Sequence, residues 1–170
     1  EEKAIPTCGI RTVTAADIAA CKSHGVACKL LARAESAQDG VCAYVEPALV
    51  GADDLEAAVP ANFNLITYEA EKLGRQSFYG QGAGRFPTAS NVVQDCLTVL
   101  SGKRGFYTDK AAPAALVGGE AHPYYVRTAA PDDFRRAHTA ETWVNGAVVT
   151  GAVAVCEMLA WAKAQRDKDR

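Results

Sequence analysis

The densest run of positions able to do chemistry is Gly80-Gln81-Gly82-Ala83-Gly84-Arg85-Phe86-Pro87-Thr88. A strand is expected just before it, over 75–79, and Pro87 suits the first turn of a helix that follows. A strand ending in glycines at a helix start exposes backbone N–H groups beside the positive end of the helix dipole. Glycine also permits positive φ and lets a ligand come close to the backbone. Such a loop suits a phosphate, a carboxylate or the face of a flat ring. A tight strand-to-helix turn with no ligand accounts for the same spacing. The run is not a dinucleotide-binding fingerprint: Gly80, Gly82 and Gly84 give GxGxG, and the last position of GxGxxG falls on Arg85. It also follows four expected strands instead of opening a βαβ unit.

The remaining candidates are weaker. Asp53, Asp54 and Glu56 read as negative charge favoured at a helix N-terminus. Glu69 and Glu71 beside Lys72 read as a solvated strand end. Asp132-Asp133 followed by Arg135-Arg136 reads as a surface salt-bridge cluster, and His122 before Pro123 as a loop histidine with no evident partner. No Ser/His/Asp or Cys/His arrangement stands out. The six cysteines are irregularly spaced without a CxxC, and the three histidines show no ligand spacing with them. Reduced, mostly buried thiols and no metal site are therefore expected.

These positions need a scaffold. Thr14-Ala15-Ala16-Asp17 reads as an N-cap with an acidic first turn, opening a helix over 15–23 with Gly25 as its C-cap. Val26–Ala34 and Val41–Leu49 read as strands around an Asp39-Gly40 hairpin signal, with Pro47 at an edge or strand end. A short helical turn over Asp53–Val59, a third strand over Asn62–Glu69 and a fourth over Arg75–Tyr79 lead into the glycine loop. Val92, Val93, Cys96, Leu97 and Leu100 then share one face of a helix ending at Ser101-Gly102. Residues 103–121 read as a linker. Strands over Pro123–Thr128 and Trp143–Val149 and a helix over Val153–Ala164 follow. The expected fold is α/β (α+β): a mixed, mostly antiparallel sheet with helices packed on one face, plus a small C-terminal strand-helix unit.

The chain has 170 residues, 49% hydrophobic and 22% charged, enough to bury a core. A formal charge of -2 without long charge blocks disfavours nucleic acid as a partner. No apolar run approaches the ~20 residues that span a bilayer. The sequence starts Glu1-Glu2-Lys3 and its only methionine is Met158, so a fragment of a longer, cytoplasmic protein is expected.

The segment Phe78-Tyr79-Gly80-Gln81-Gly82-Ala83-Gly84-Arg85-Phe86-Pro87-Thr88-Ala89-Ser90-Asn91-Val92-Val93-Gln94-Asp95 resembles the FYGxGAGxxPTAxAVxxD segment of the homoserine dehydrogenases. Ile5-Pro6-Thr7-Cys8-Gly9-Ile10-Arg11-Thr12-Val13-Thr14-Ala15-Ala16-Asp17-Ile18 is similar to that family's EGIxxITxxDI. Lys29-Leu30-Leu31-Ala32, Val45-Glu46-Pro47-Ala48-Leu49-Val50 and Asn62-Phe63-Asn64 fit the family's order, so five motifs span residues 5 to about 100.

The resemblance implies oxidation of L-homoserine to L-aspartate 4-semialdehyde with NAD or NADP, on the route to threonine, isoleucine and methionine. It implies a homodimer built through the sheet. It places Gly84 at the cofactor, with Gly82, Ala83 and Thr88 beside it. The family's nucleotide-binding domain, catalytic lysine and substrate-binding acidic residues belong upstream of Glu1, so no catalytic residue is expected here and the isolated chain should be inactive. The expected division is 1–102 (part of the catalytic and dimerisation domain), 103–121 (linker) and 122–170 (a shortened ACT-like tail, with Pro123-Tyr124-Tyr125-Val126-Arg127 as its first strand). The other reading is a stand-alone amino-acid-binding regulatory or assembly module.

Overall fold

The computed structural model describes residues 5–103, 114–118, 120–129, 132, 134–135, 140–142 and 146–168. They form a mixed α/β protein with antiparallel strands and three long helices. Cα packing divides the chain into two compact units, one of residues 1–49 with 113–170, the other of residues 50–112. This division by compactness cuts the chain at places other than 102 and 121.

In the first unit, α1 (Ala15–Ser23) begins as a reciprocal capping box. The Thr14 hydroxyl accepts from the Asp17 backbone N–H, and the Asp17 carboxylate accepts from the Thr14 N–H at 2.7 Å. The helix ends at Ser23 as expected, but its C-cap is His24 and not Gly25, which takes the left-handed conformation just beyond it (φ 69°). Next comes a hairpin of two 12-residue strands, β1 (Val26–Ala37) and β2 (Gly40–Gly51). Side chains alternate along β2, and Cys42, Tyr44, Glu46 and Val50 are buried.

Pro47 lies inside β2 and not at its end. The N–H groups of Val41 and Val45 point to the outer edge of β2, where they donate to Ala115 and Pro6. Pro47 shares their parity, so its missing donor falls on that edge and leaves the ladder with β1 intact. The expected linker contributes here: Leu116 bridges Val41, so residues near 116 lie along the free edge of β2. A Cβ at Gly40 would collide with the Ala115 carbonyl, which is why glycine occupies that position.

The C-terminal strands are shorter than expected. β5 (Ala121–His122) pairs with β9 (Val153–Ala154), and β6 (Tyr125–Val126) and β7 (Ala140–Thr142) flank β8 (Val148–Thr150). Pro123 separates β5 from β6, because it cannot donate to a ladder. Residues 143–145 of the expected strand lie outside the described residues. The last helix, α3 (Val155–Lys168), starts two residues later than expected because Val153 and Ala154 are taken by β9. Val126, Phe134, Val148, Val153 and Met158 form one core cluster. Val155 and Leu159 of α3 meet Cys42 and Tyr44 of β2 in another.

In the second unit, residues 52–58 form successive turns, in keeping with the short helical turn expected over 53–59. Their hydrogen bonds span three residues, as from the Ala57 N–H to the Asp54 carbonyl. β3 (Phe63–Ala70) and β4 (Gly74–Gln81) make an antiparallel hairpin with Phe63 opposite Gln81 and Ala70 opposite Gly74. α2 (Arg85–Leu100) follows. Its apolar stripe exists as expected, but it is not packed: no α2 residue is buried, and Leu100 is 83% exposed.

Candidate functional site: the glycine turn between β4 and α2

Gly82, Ala83 and Gly84 connect β4 to α2, and Thr88 lies one turn into the helix, its N–H donating to the Gly84 carbonyl at 3.1 Å. The four residues expected at a ligand are thus adjacent. Gly84 is the N-cap, at φ 124° and ψ 158°, a region that residues with a Cβ rarely adopt, and no side chain caps the helix. The first-turn N–H groups of a helix have no intrahelical partner, and here Pro87 removes one of them. The first-turn N–H groups of Arg85 and Phe86 lie at the positive end of the α2 dipole, a geometry that suits an anion or the polar rim of a ring. Gly82, Ala83 and Gly84 are exposed, and a Cβ at Gly84 would make ordinary contact with Asn62 and Pro87 at 3.6 Å.

Two residues that sequence reasoning did not assign to the site hold it in place. The Asn62 side-chain amide donates to the Ala83 carbonyl at 2.7 Å, and the Asn62 carbonyl accepts from the Gly82 N–H at 3.0 Å. The Asn64 side chain fills the space a Cβ at Gly82 would need. Asn62 follows Ala61, which sits at φ 44° although it is not glycine. The signal available in sequence was only the resemblance of Asn62-Phe63-Asn64.

Several of the other candidates make structural contacts. Asp54 accepts from the Gly51 N–H at 2.7 Å, and Glu56 pairs with Arg75 at 2.7 Å. Asp132 pairs with Arg135 at 3.4 Å, while Asp133 and Arg136 lie outside the described residues. His122, expected to lack a partner, has its Nε2 3.0 Å from the Tyr44 hydroxyl and 3.6 Å from Glu120. Arg33 reaches both Tyr44 and Glu120, and Tyr124 donates to the buried Glu46 at 3.3 Å. Burial pushes the Glu46 carboxyl up, only partly offset by Tyr124. The neighbouring Glu120 carboxyl, more than burial, pushes Glu35 up.

Asp17, 7% exposed, accepts from Arg127 at 3.0 Å and from the Tyr125 hydroxyl at 2.8 Å. Burial alone would raise the Asp17 carboxyl. The donors Arg127, Thr14 and Tyr125 outweigh burial and hold it well below the usual carboxylate range. Tyr125 is pushed up to about 12 by burial and by its bond to Asp17.

All six thiols are unbridged, and fewer are buried than expected: Cys21 and Cys42 are buried, Cys8 and Cys28 half-buried, Cys96 and Cys156 exposed. No group of His, Cys, Asp or Glu among the described residues converges as a metal site. Nor is any helix among them long and apolar enough to cross a membrane.

A family model described as homoserine dehydrogenase matches residues 1–97. The homoserine dehydrogenase of Mycobacterium leprae is 40% identical over 129 residues, which cover 69% of this chain and 29% of that protein. That of Corynebacterium glutamicum is 40% identical over 100 residues, 56% of this chain and 22% of the other. Among solved structures, a homoserine dehydrogenase from Thiobacillus denitrificans shares the fold at TM-score 0.62 and 21% identity, over 91% of this chain and 42% of that one. One from S. aureus superimposes at TM-score 0.54 with 26% identity, over 86% and 40% of the two chains. The chain therefore spans less than a third of the curated relatives it matches, and it belongs to the homoserine dehydrogenase family.

Proposed function

We propose that this chain is the C-terminal part of a homoserine dehydrogenase that interconverts L-homoserine and L-aspartate 4-semialdehyde with NAD or NADP. On this reading the enzyme works in the cytoplasm on the route to threonine, isoleucine and methionine. The observation that carries the proposal is the glycine turn: Gly82, Ala83 and Gly84 lie exposed at the start of α2, in a chain of this family. The residues present fit one wall of a nicotinamide site. Bound there, the cofactor supplies the hydride acceptor. Gly84 lets the flat ring approach the backbone, the first-turn N–H groups of α2 favour its polar edge, and Thr88 stands beside the turn.

The nucleotide-binding domain and the catalytic lysine are then supplied by sequence beyond this chain, and 170 residues alone have no activity. The sheet pairs with a second copy, and residues 122–170 form a shortened ACT-like tail. The test is a homoserine-dependent reduction of NAD and NADP by the gene product that carries this chain. Activity is expected there and not in the 170-residue chain. A G84V variant should lose at least tenfold in kcat/KM for the nucleotide. No homoserine-dependent reduction with either nucleotide would overturn the reading.

A further inference from the structure

The geometry points to Asn62 as a positioning residue for the glycine turn, one that sets the turn's backbone orientation through its side-chain amide. The inference deepens the proposed function and rests on it only for the effect on cofactor binding. Asn62 precedes β3, 20 residues before Gly82, yet it holds the turn by both its ends. Its backbone carbonyl takes the Gly82 N–H at 3.0 Å, and its side-chain Nδ2 donates to the Ala83 carbonyl at 2.7 Å. The second bond fixes the peptide that precedes Gly84, hence the direction of the N–H groups entering α2. Among the described residues no other side chain bonds that peptide: Gly84 has no side chain, no side chain caps the helix, and a Cβ at Gly84 would lie 3.6 Å from this same Asn62 Nδ2.

Asn62 is itself set by a turn in which the Phe63 N–H donates to the Pro60 carbonyl and Ala61 adopts φ 44°. A non-glycine residue in that region is retained where the surroundings over-determine it. The amide matters as a donor. A carboxylate of the same shape would face the Ala83 carbonyl oxygen without a proton to offer.

The test compares Asn62→Ala and Asn62→Asp with the parent. In the 170-residue chain, amide exchange is followed between pH 4 and pH 7 at Gly82 and Thr88, whose N–H groups are bonded to the Asn62 and Gly84 carbonyls. In the gene product, nucleotide KM and kcat are measured. Both variants should speed exchange at the turn about fivefold at pH 7, the worth of one ordinary hydrogen bond. Only Asn62→Asp should recover toward pH 4, where its protonated carboxyl can donate. A structural role through volume alone would give no such recovery. In the gene product, nucleotide KM should rise several-fold with kcat changed less. Unchanged exchange in both variants, or recovery at low pH in neither, overturns the positioning role. Faster exchange with unchanged nucleotide KM leaves Asn62 as the turn's positioner and instead overturns the cofactor reading of the turn.

Discussion

The two compact units treat apolar surface in opposite ways. In residues 1–49 with 113–170, strand alternation and helix faces converge on shared clusters, and Val148 is wholly buried. In residues 50–112 the same kinds of element leave their apolar side chains in water. Val50, at the boundary, is the only buried residue among those described, while Ile66 is 67% and Phe86 78% exposed. The hairpin of β3 and β4 holds together by its ladder, the stacked pair Phe63 and Tyr79 at 5.0 Å, and the Thr67–Ser77 hydroxyl contact. A lone two-stranded hairpin is marginal in water. Contiguous exposed apolar surface of this kind marks a face meant to be covered. The first unit thus closes its own cores, whereas the second leaves the glycine turn and the apolar stripe of α2 uncovered among the described residues.

Mutations sharpen that contrast. Phe134→Ala should cost about 3–4 kcal/mol, since it removes a buried ring packed edge-on against Trp161 at 4.9 Å. Leu97→Ser on α2 should change stability by less than about 0.5 kcal/mol. Chemical denaturation of both variants checks the pair, and equal losses would erase the distinction.

Asp17→Asn should cost about 2–3 kcal/mol. That is below the ~3–5 kcal/mol for breaking a fully buried pair, because Arg127 is half exposed and screened. The pH sign follows from the depressed carboxyl. The stabilisation is fully present above the unfolded pKa of about 3.9, and it is lost as pH falls below that toward the folded value. A titration of stability from pH 7 to pH 3 should show a loss in the parent that Asp17→Asn lacks.

Gly84→Ala should cost about 1–2 kcal/mol locally, because alanine at φ 124° is strained. It is best read as faster amide exchange along the first turn of α2. Ala61→Gly should be nearly neutral, within about 0.5 kcal/mol. It relieves the left-handed alanine but adds freedom to the unfolded chain, and a melting curve that moves by several degrees would contradict this.

Local signals in the sequence carried far. Thr14 and Asp17 gave the start of α1 down to the capping box, and the glycine run with Pro87 gave the strand-turn-helix of the candidate site. What stayed hidden depends on partners distant in the chain. Gly40 is needed because Ala115 passes over it, His122 finds Tyr44 across 78 positions, and Arg127 finds Asp17 across 110. Pattern could not distinguish α2 from a packed helix. Its stripe of Val92, Val93, Leu97 and Leu100 is what a buried helix would show, and only the absence of a covering surface among the described residues sets it apart.

The proposed contact of the glycine turn with a nicotinamide cofactor held by sequence beyond this chain is open to one direct test. Hydrogen exchange of residues 82–88 in the gene product, with and without saturating NAD or NADP, tests it most directly. Nucleotide is expected to slow exchange at Gly82, Ala83, Gly84 and Thr88 by about tenfold or more, with β2 and α3 unchanged. Exchange at the turn that is the same with and without either nucleotide would contradict it.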